Sequence, residues 1–111
     1  MPNTETDLSG LSAEIRKRYE GRGDTLSGTT KGDMDVVEVG PAKGLTRGTY
    51  ARYATLMNYS GGVLLFGRER SLGSYALAVG QGYTFDYVDV FGIVIKDDGN
   101  KIAWTIDYTG P

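Results

Sequence analysis

Three segments of the C-terminal half alternate side chain by side chain. Tyr75, Leu77 and Val79 fall on one side of the chain, as do Tyr83, Phe85 and Tyr87, and Ile102, Trp104, Ile106 and Tyr108. A period of two is the mark of a strand with one buried face, because successive side chains point to opposite faces of a sheet. Strands are predicted from Thr49 to Tyr59, Gly62 to Gly67, Ser74 to Val79, Tyr83 to Val88, Val90 to Lys96 and Lys101 to Tyr108. The run GVLLF within the second of these is apolar on both faces, the pattern of a strand covered on both sides. Ser60-Gly61-Gly62 and Gly80-Gln81-Gly82 read as tight connections, and Asp97-Asp98-Gly99-Asn100 as a hairpin turn built of residues that tolerate left-handed backbone. Many short strands separated by such turns predict an all-β fold, a small β-sandwich or barrel over residues 49–111.

Residues 1–48 have another texture: polar, charged and punctuated by glycine. They read as an extended N-terminal arm. One helix is predicted over about 8–20, where Leu8, Leu11, Ile15 and Tyr19 share a face. Asp7 or Ser9 caps its start, and Gly21 and Gly23 end it. A helix of about three turns is marginal in isolation. Its apolar stripe therefore needs a surface, either the chain's own domain or another chain, and the spacer that follows favours the second. That spacer is GRGDTLSGTTKGD, residues 21–33, whose Gly/Ser/Thr content predicts a flexible linker. The triplet Arg22-Gly23-Asp24 also occurs in adhesion ligands, but so short a motif in a stretch of glycine and charge arises readily by chance. MDVVEV, residues 34–39, reads as a short strand closed by Gly40-Pro41. It is either the first strand of the domain or a strand added to a neighbour's open sheet edge.

The chain has no cysteine and no histidine. Disulfides, thiolate metal sites and the triads that use histidine as a base are thereby excluded. Gly40-Pro41-Ala42-Lys43-Gly44 lacks the spacing of a phosphate loop, and Phe85 stands where a dinucleotide fingerprint would place its third glycine. Asp97 to Asn100 lacks the alternating ligands and distant glutamate of a calcium loop. Asp86 and Asp89 form a carboxylate pair only on paper, for so small a domain leaves little room for a cleft between them. Asn58-Tyr59-Ser60 reads as a turn. The expected protein is not an enzyme and carries no cofactor. A net charge of −2 gives no basic footprint for nucleic acid. No apolar run approaches membrane-spanning length, and the first thirty residues lack the apolar core of a secretory signal, so synthesis in a cytoplasm is expected.

A β portion of roughly 60 residues buries only about 60% of its unfolded surface. With no disulfide to reinforce it, association with other chains is the remaining route to stability. The expected partner-binding residues are Leu8, Leu11, Ile15 and Tyr19 of the helix, Met34, Val36, Val37 and Val39 of the short strand, and Arg68 and Arg70 of an exposed loop. Arginine forks there would meet a partner's carboxylates. The eight tyrosines and one tryptophan fit core and interface positions. Exposed, they would also stack on sugars.

The stretch YATLMNYSGGVLLFGRERSLGSYALAVGQGYTFDY, followed by FGIVI, DDGN and KIAWTIDY, resembles small accessory proteins of tailed-phage virions: head decoration (cement) proteins, head-fibre modules and tail adaptors. The residues that carry the resemblance are Asn58, Ser60, Gly61, Gly67, Gly80, Gly82, Phe85 and Tyr108, all within residues 50–108. It implies a jelly-roll-like sandwich on the particle surface with no catalytic residues. The expected function is capsid decoration: the arm binds the major capsid protein or another virion protein, and the β domain associates with its own copies, a trimer being one closed form. A head-tail or tail adaptor is the first alternative, and a carbohydrate-binding module that recognises a host surface is the second.

Overall fold

A computed structural model describes residues 24–110. The predicted helix over 8–20, with Leu8, Leu11, Ile15 and Tyr19, lies outside the described residues. The strands are β1 (Asp24–Thr29), β2 (Val37–Glu38), β3 (Tyr50–Asn58), β4 (Val63–Arg68), β5 (Ser71–Ala78), β6 (Gly82–Asp89), β7 (Ile93–Lys96) and β8 (Ala103–Thr109); a short helix α1 (Val39–Lys43) follows β2. They form two four-stranded antiparallel sheets of order β1-β8-β3-β6 and β2-β7-β4-β5. The fold is the all-β sandwich that the alternation predicts.

The inner faces follow the period-two pattern. Ala54 and Leu56 of β3, Leu64 and Phe66 of β4, Leu77 of β5, Phe85 of β6, Ile93 and Ile95 of β7, and Trp104 and Ile106 of β8 close one core together with Ile102, Val39 and Val90. Truncation of any one of the large aliphatic side chains to alanine would cost about 2–5 kcal/mol. The pattern fails at one place. On β6, Phe85 and Val88 are both buried, three residues apart, while Tyr87 takes a left-handed φ of 49° and is 77% exposed. On the neighbouring β3 the buried residues Ala51 and Ala54 show the same three-residue step. The two strands shift phase together, so their register is unbroken.

The spacer predicted over 21–33 begins outside the described residues; from Asp24 onward it is corrected by the structure, for Asp24–Thr29 is a regular edge strand paired with β8 over its whole length. Leu26 packs against the core. The glycine read as flexible has a steric reason instead, since a Cβ on Gly28 would lie 2.8 Å from the Trp104 ring. Thr30 then ties the strand's exit to β8, its N–H donating to the Ile102 carbonyl at 2.9 Å and its hydroxyl accepting from the Ile102 N–H at 2.8 Å. β1 and β2 each join one sheet, so the packed unit includes residues assigned to the arm and does not begin at residue 49. The strand predicted over 34–39 is also shorter. Only Val37 and Glu38 pair, and they pair with β7 of the same chain rather than with a neighbour. Val39 begins α1, whose third residue is Pro41, tolerated in a first turn where no N–H is needed. GVLLF is covered on one face alone. Leu64 and Phe66 enter the core, whereas Val63 and Leu65 point to the outer side, exposed and half-buried respectively.

Candidate assembly surfaces

The turn between β4 and β5 places Arg68, Glu69, Arg70 and Ser71 at one end of the sandwich, all four exposed, as the sequence predicts. Its two central residues adopt positive φ, 50° at Glu69 and 68° at Arg70. That is the backbone of a two-residue hairpin that usually recruits Asn-Gly, so Glu-Arg here is strained. Three contacts hold it. The Glu69 N–H donates to the Gly92 carbonyl at 2.6 Å. The Arg70 guanidinium meets Glu38 at 3.2 Å. The Arg68 guanidinium lies over the Phe85 ring at 5.4 Å. Both arginines are thus partly engaged within their own chain, although each remains exposed. A polar recess of about 210 Å³ beside the turn is lined by Glu38, Arg47, Glu69, Arg70, Asp89 and Phe91.

The four residues expected to bind a partner through the short strand separate. Met34 and Val36 are about half exposed. Val37 packs against the core from β2. Val39, the first residue of α1, is fully buried, so it is a core residue and not a partner contact. Asp86 and Asp89 do not act as a pair. The Asp89 carboxylate accepts from the N–H groups of Phe91 and Gly48, at 3.1 and 3.0 Å, and caps the 3-10 turn that follows β6. Asp86 stands on the outer face opposite Tyr53. Among the described residues no group of three or more acidic side chains is placed to hold a metal ion, and no helix is long and apolar enough to cross a membrane.

Two surfaces emerge that single residues of the sequence do not announce. The first is the side of the sandwich where β5 and β6 are both edge strands. From Ser71 to Phe85 the chain has no charged residue and no proline. β5 exposes Ser74, Ala76 and Ala78, and beside it on the outer face stand Val63 and Leu65 of β4. Between the two edges Phe66, Tyr75, Tyr83 and Phe85 pack ring on ring, Phe66 stacking on Tyr75 at 5.2 Å and meeting Phe85 edge-on at 5.5 Å. A cleft of about 390 Å³ opens there, bounded by Arg68, Gly73 and the rings of Tyr75, Tyr83 and Phe85. Natural edge strands are usually blunted by charge, proline or brevity; β5 has none of these except a bulge near its start, where the register with β4 shifts after Phe66.

The second surface is the outer face of the other sheet. Thr25, Asp107, Thr55 and Thr84 form one row across all four strands. The Thr25 hydroxyl donates to Asp107 at 2.7 Å, and the Thr55 and Thr84 hydroxyls are 2.9 Å apart. The adjoining row is Thr109, Tyr53 and Asp86, and beyond it stand the exposed Tyr50 and Tyr87. This face is acidic and aromatic at one end and a plain of short hydroxyl side chains elsewhere. The alternation of Thr and Ser in β1 and β8 signals its hydroxyl plain; the tyrosine end depends on the phase shift at Tyr87, for which the sequence carries no signal.

No family model, curated protein or solved structure matches this chain.

Proposed function

We propose that this chain is a structural subunit of a tailed-phage virion, a decoration or cement protein that strengthens the particle surface by binding neighbouring subunits. The observation that supports this reading best is the β5–β6 side, whose chain carries no charge from Ser71 to Phe85. An edge strand with no neighbour on its outer side within the sheet, flanked by apolar Val63, Leu65, Ala76 and Ala78, is suited to another polypeptide. Strand addition there satisfies the edge groups, and the apolar strip supplies the burial that a small sandwich lacks. The sandwich associates with its own copies along this side, and the arm engages neighbouring capsid subunits. Multiple weak contacts from one subunit then act together, since linkage makes each later contact intramolecular. Placement as a head-tail or tail adaptor rests on the same surfaces. Gold-labelled antibody against the chain, viewed by electron microscopy on particles from its natural source, tests the reading. Regular labelling of heads supports decoration, labelling at one vertex or on tails moves the protein to the adaptor position, and absence of label from every particle refutes a virion role.

A further inference from the structure

We infer that the cleft between β5 and β6 is a binding site for a short saccharide that carries a carboxylate. This goes beyond the virion reading and does not depend on it. The starting point is one ring. Tyr75 is 50% exposed, yet its ring is held from behind. It stacks on the buried Phe66 at 5.2 Å, with 21° between the planes. Tyr83 braces the pair, 4.8 Å from Phe66 and 5.4 Å from Tyr75. A Cβ on Gly73 would come within 2.8 Å of the Tyr75 ring, so the missing side chain there is what lets the ring lie where it does. A half-exposed ring fixed in this way is a platform. The C–H face of a pyranose packs on an aromatic ring, and a ring already in place loses little freedom when it does so.

The polar groups select among sugars. The cleft measures about 390 Å³, inside the range of roughly 300–1,000 Å³ common to small-molecule sites. Of the residues that line it, Arg68 alone is charged. Its guanidinium lies over the Phe85 ring, and among the described residues it forms no ion pair. A guanidinium meets a carboxylate through two parallel N–H···O bonds. An acidic saccharide stacked on Tyr75 therefore matches the cleft in shape and in sign, whereas a neutral one matches it in shape alone. The backbone favours a compact ligand over an added strand. Where β4 steps from Phe66 to Gly67, its partner on β5 changes from Tyr75 to Leu72. Gly73 and Ser74 are thus extra residues in a bulge, and Gly73 lines the cleft. Bulges interrupt regular pairing and re-aim side chains. Strand addition to β5 has the regular stretch from Tyr75 to Ala78 beyond it.

The isotope-labelled full chain is titrated with cellobiose and cellobiuronic acid, then with lactose and sialyllactose, and followed by amide NMR. The members of each pair are a neutral saccharide and an acidic counterpart. The site gives saturable shifts at residues 67–75 and 83–85, and an acidic saccharide binds at least about tenfold more tightly than its neutral counterpart at low salt. The pair that shows this tells a uronic from a sialic acid. Arg68→Gln, a change at an exposed residue, removes the preference. Gly73→Ala, which displaces the Tyr75 ring without deleting it, weakens every saccharide several-fold, with circular dichroism confirming that both variants fold. No saturable shift from any of the four overturns the site. Equal affinity for acidic and neutral members, or a preference that survives Arg68→Gln, overturns the assignment to acidic sugars. Tighter binding of an acidic tyrosine-containing peptide than of every saccharide moves the cleft to a polypeptide partner and overturns the inference. None of these results bears on the particle labelling.

Discussion

Asp97 sits at the end of β7, is 2% exposed, and accepts backbone N–H groups from Gly32 at 2.7 Å, Met34 at 3.0 Å and Gly99 at 2.9 Å. One carboxylate thus fastens the loop between β1 and β2 to the loop between β7 and β8. Hydrogen bonds to a charged acceptor contribute about 1.5–3 kcal/mol each. Asp97→Ala removes three acceptor contacts and leaves three donors to find water. Since the residues around Met34 are exposed, water offsets part of the loss, and a net cost of about 3–4 kcal/mol is expected. A domain of this size holds roughly 4–13 kcal/mol in total, so the variant would be close to unfolding. Asp97→Asn keeps an oxygen for Met34 and Gly99 but turns an amide N–H₂ toward Gly32, costing about 2 kcal/mol and lowering Tm by about 8–16 °C. The pH dependence is a second readout. Burial pushes the Asp97 carboxyl up, but the bonds from Gly99, Gly32, Thr30 and Met34 outweigh it and hold the group below its ordinary value of 3.8. A depressed folded-state pKa means that the stabilisation is complete above that ordinary value and disappears as pH falls through the folded one. Native protein and Asp97→Asn should therefore differ at pH 7 and converge in strong acid. Urea denaturation across pH 2–7 measures both effects. A cost below about 1 kcal/mol for Asp97→Ala, or a gap that does not narrow in acid, would refute the clamp.

The Thr105 hydroxyl is shut away from water with no hydrogen-bond partner, so Thr105→Val, which keeps the branched shape, should be neutral or stabilising by up to about 1 kcal/mol in thermal melts. Replacing Glu69-Arg70 by Asn-Gly relieves two left-handed residues and loses one exposed ion pair, for an expected net gain of about 1 kcal/mol by chemical denaturation. Ala76→Lys places a charge on the open β5 edge; analytical ultracentrifugation should show weaker self-association with an unchanged circular dichroism spectrum. Removal of residues 1–22 should leave the sandwich folded, because the described sheets begin at Asp24, whereas removal of 1–33 strips β1 from β8 and should lower Tm.

The core was legible because its rule is local. Side chains two apart on a strand share a face, so Ile102, Trp104, Ile106 and Tyr108 announced β8 without any knowledge of what they pack against. Residues 24–29 show what local reading misses. Glycine, serine and threonine raise the freedom of an isolated segment, yet Gly28 is small because Trp104, far away in sequence, fills the space where its Cβ would stand. The same holds for Val39, which looks like an exposed strand residue until α1 turns it into the core. Asp97 was read as one position of a turn, and its role as an acceptor for Gly32 and Met34 depends on a loop more than sixty residues away. Composition and alternation fixed that this chain folds as β and which faces are oily. Which strand lies at an edge, where the uncharged side and the tyrosines gather, and which carboxylate is buried were decided by the order of strands in the two sheets. Those properties come from contacts between residues distant in sequence, and a periodicity measured along the chain contains no term for them.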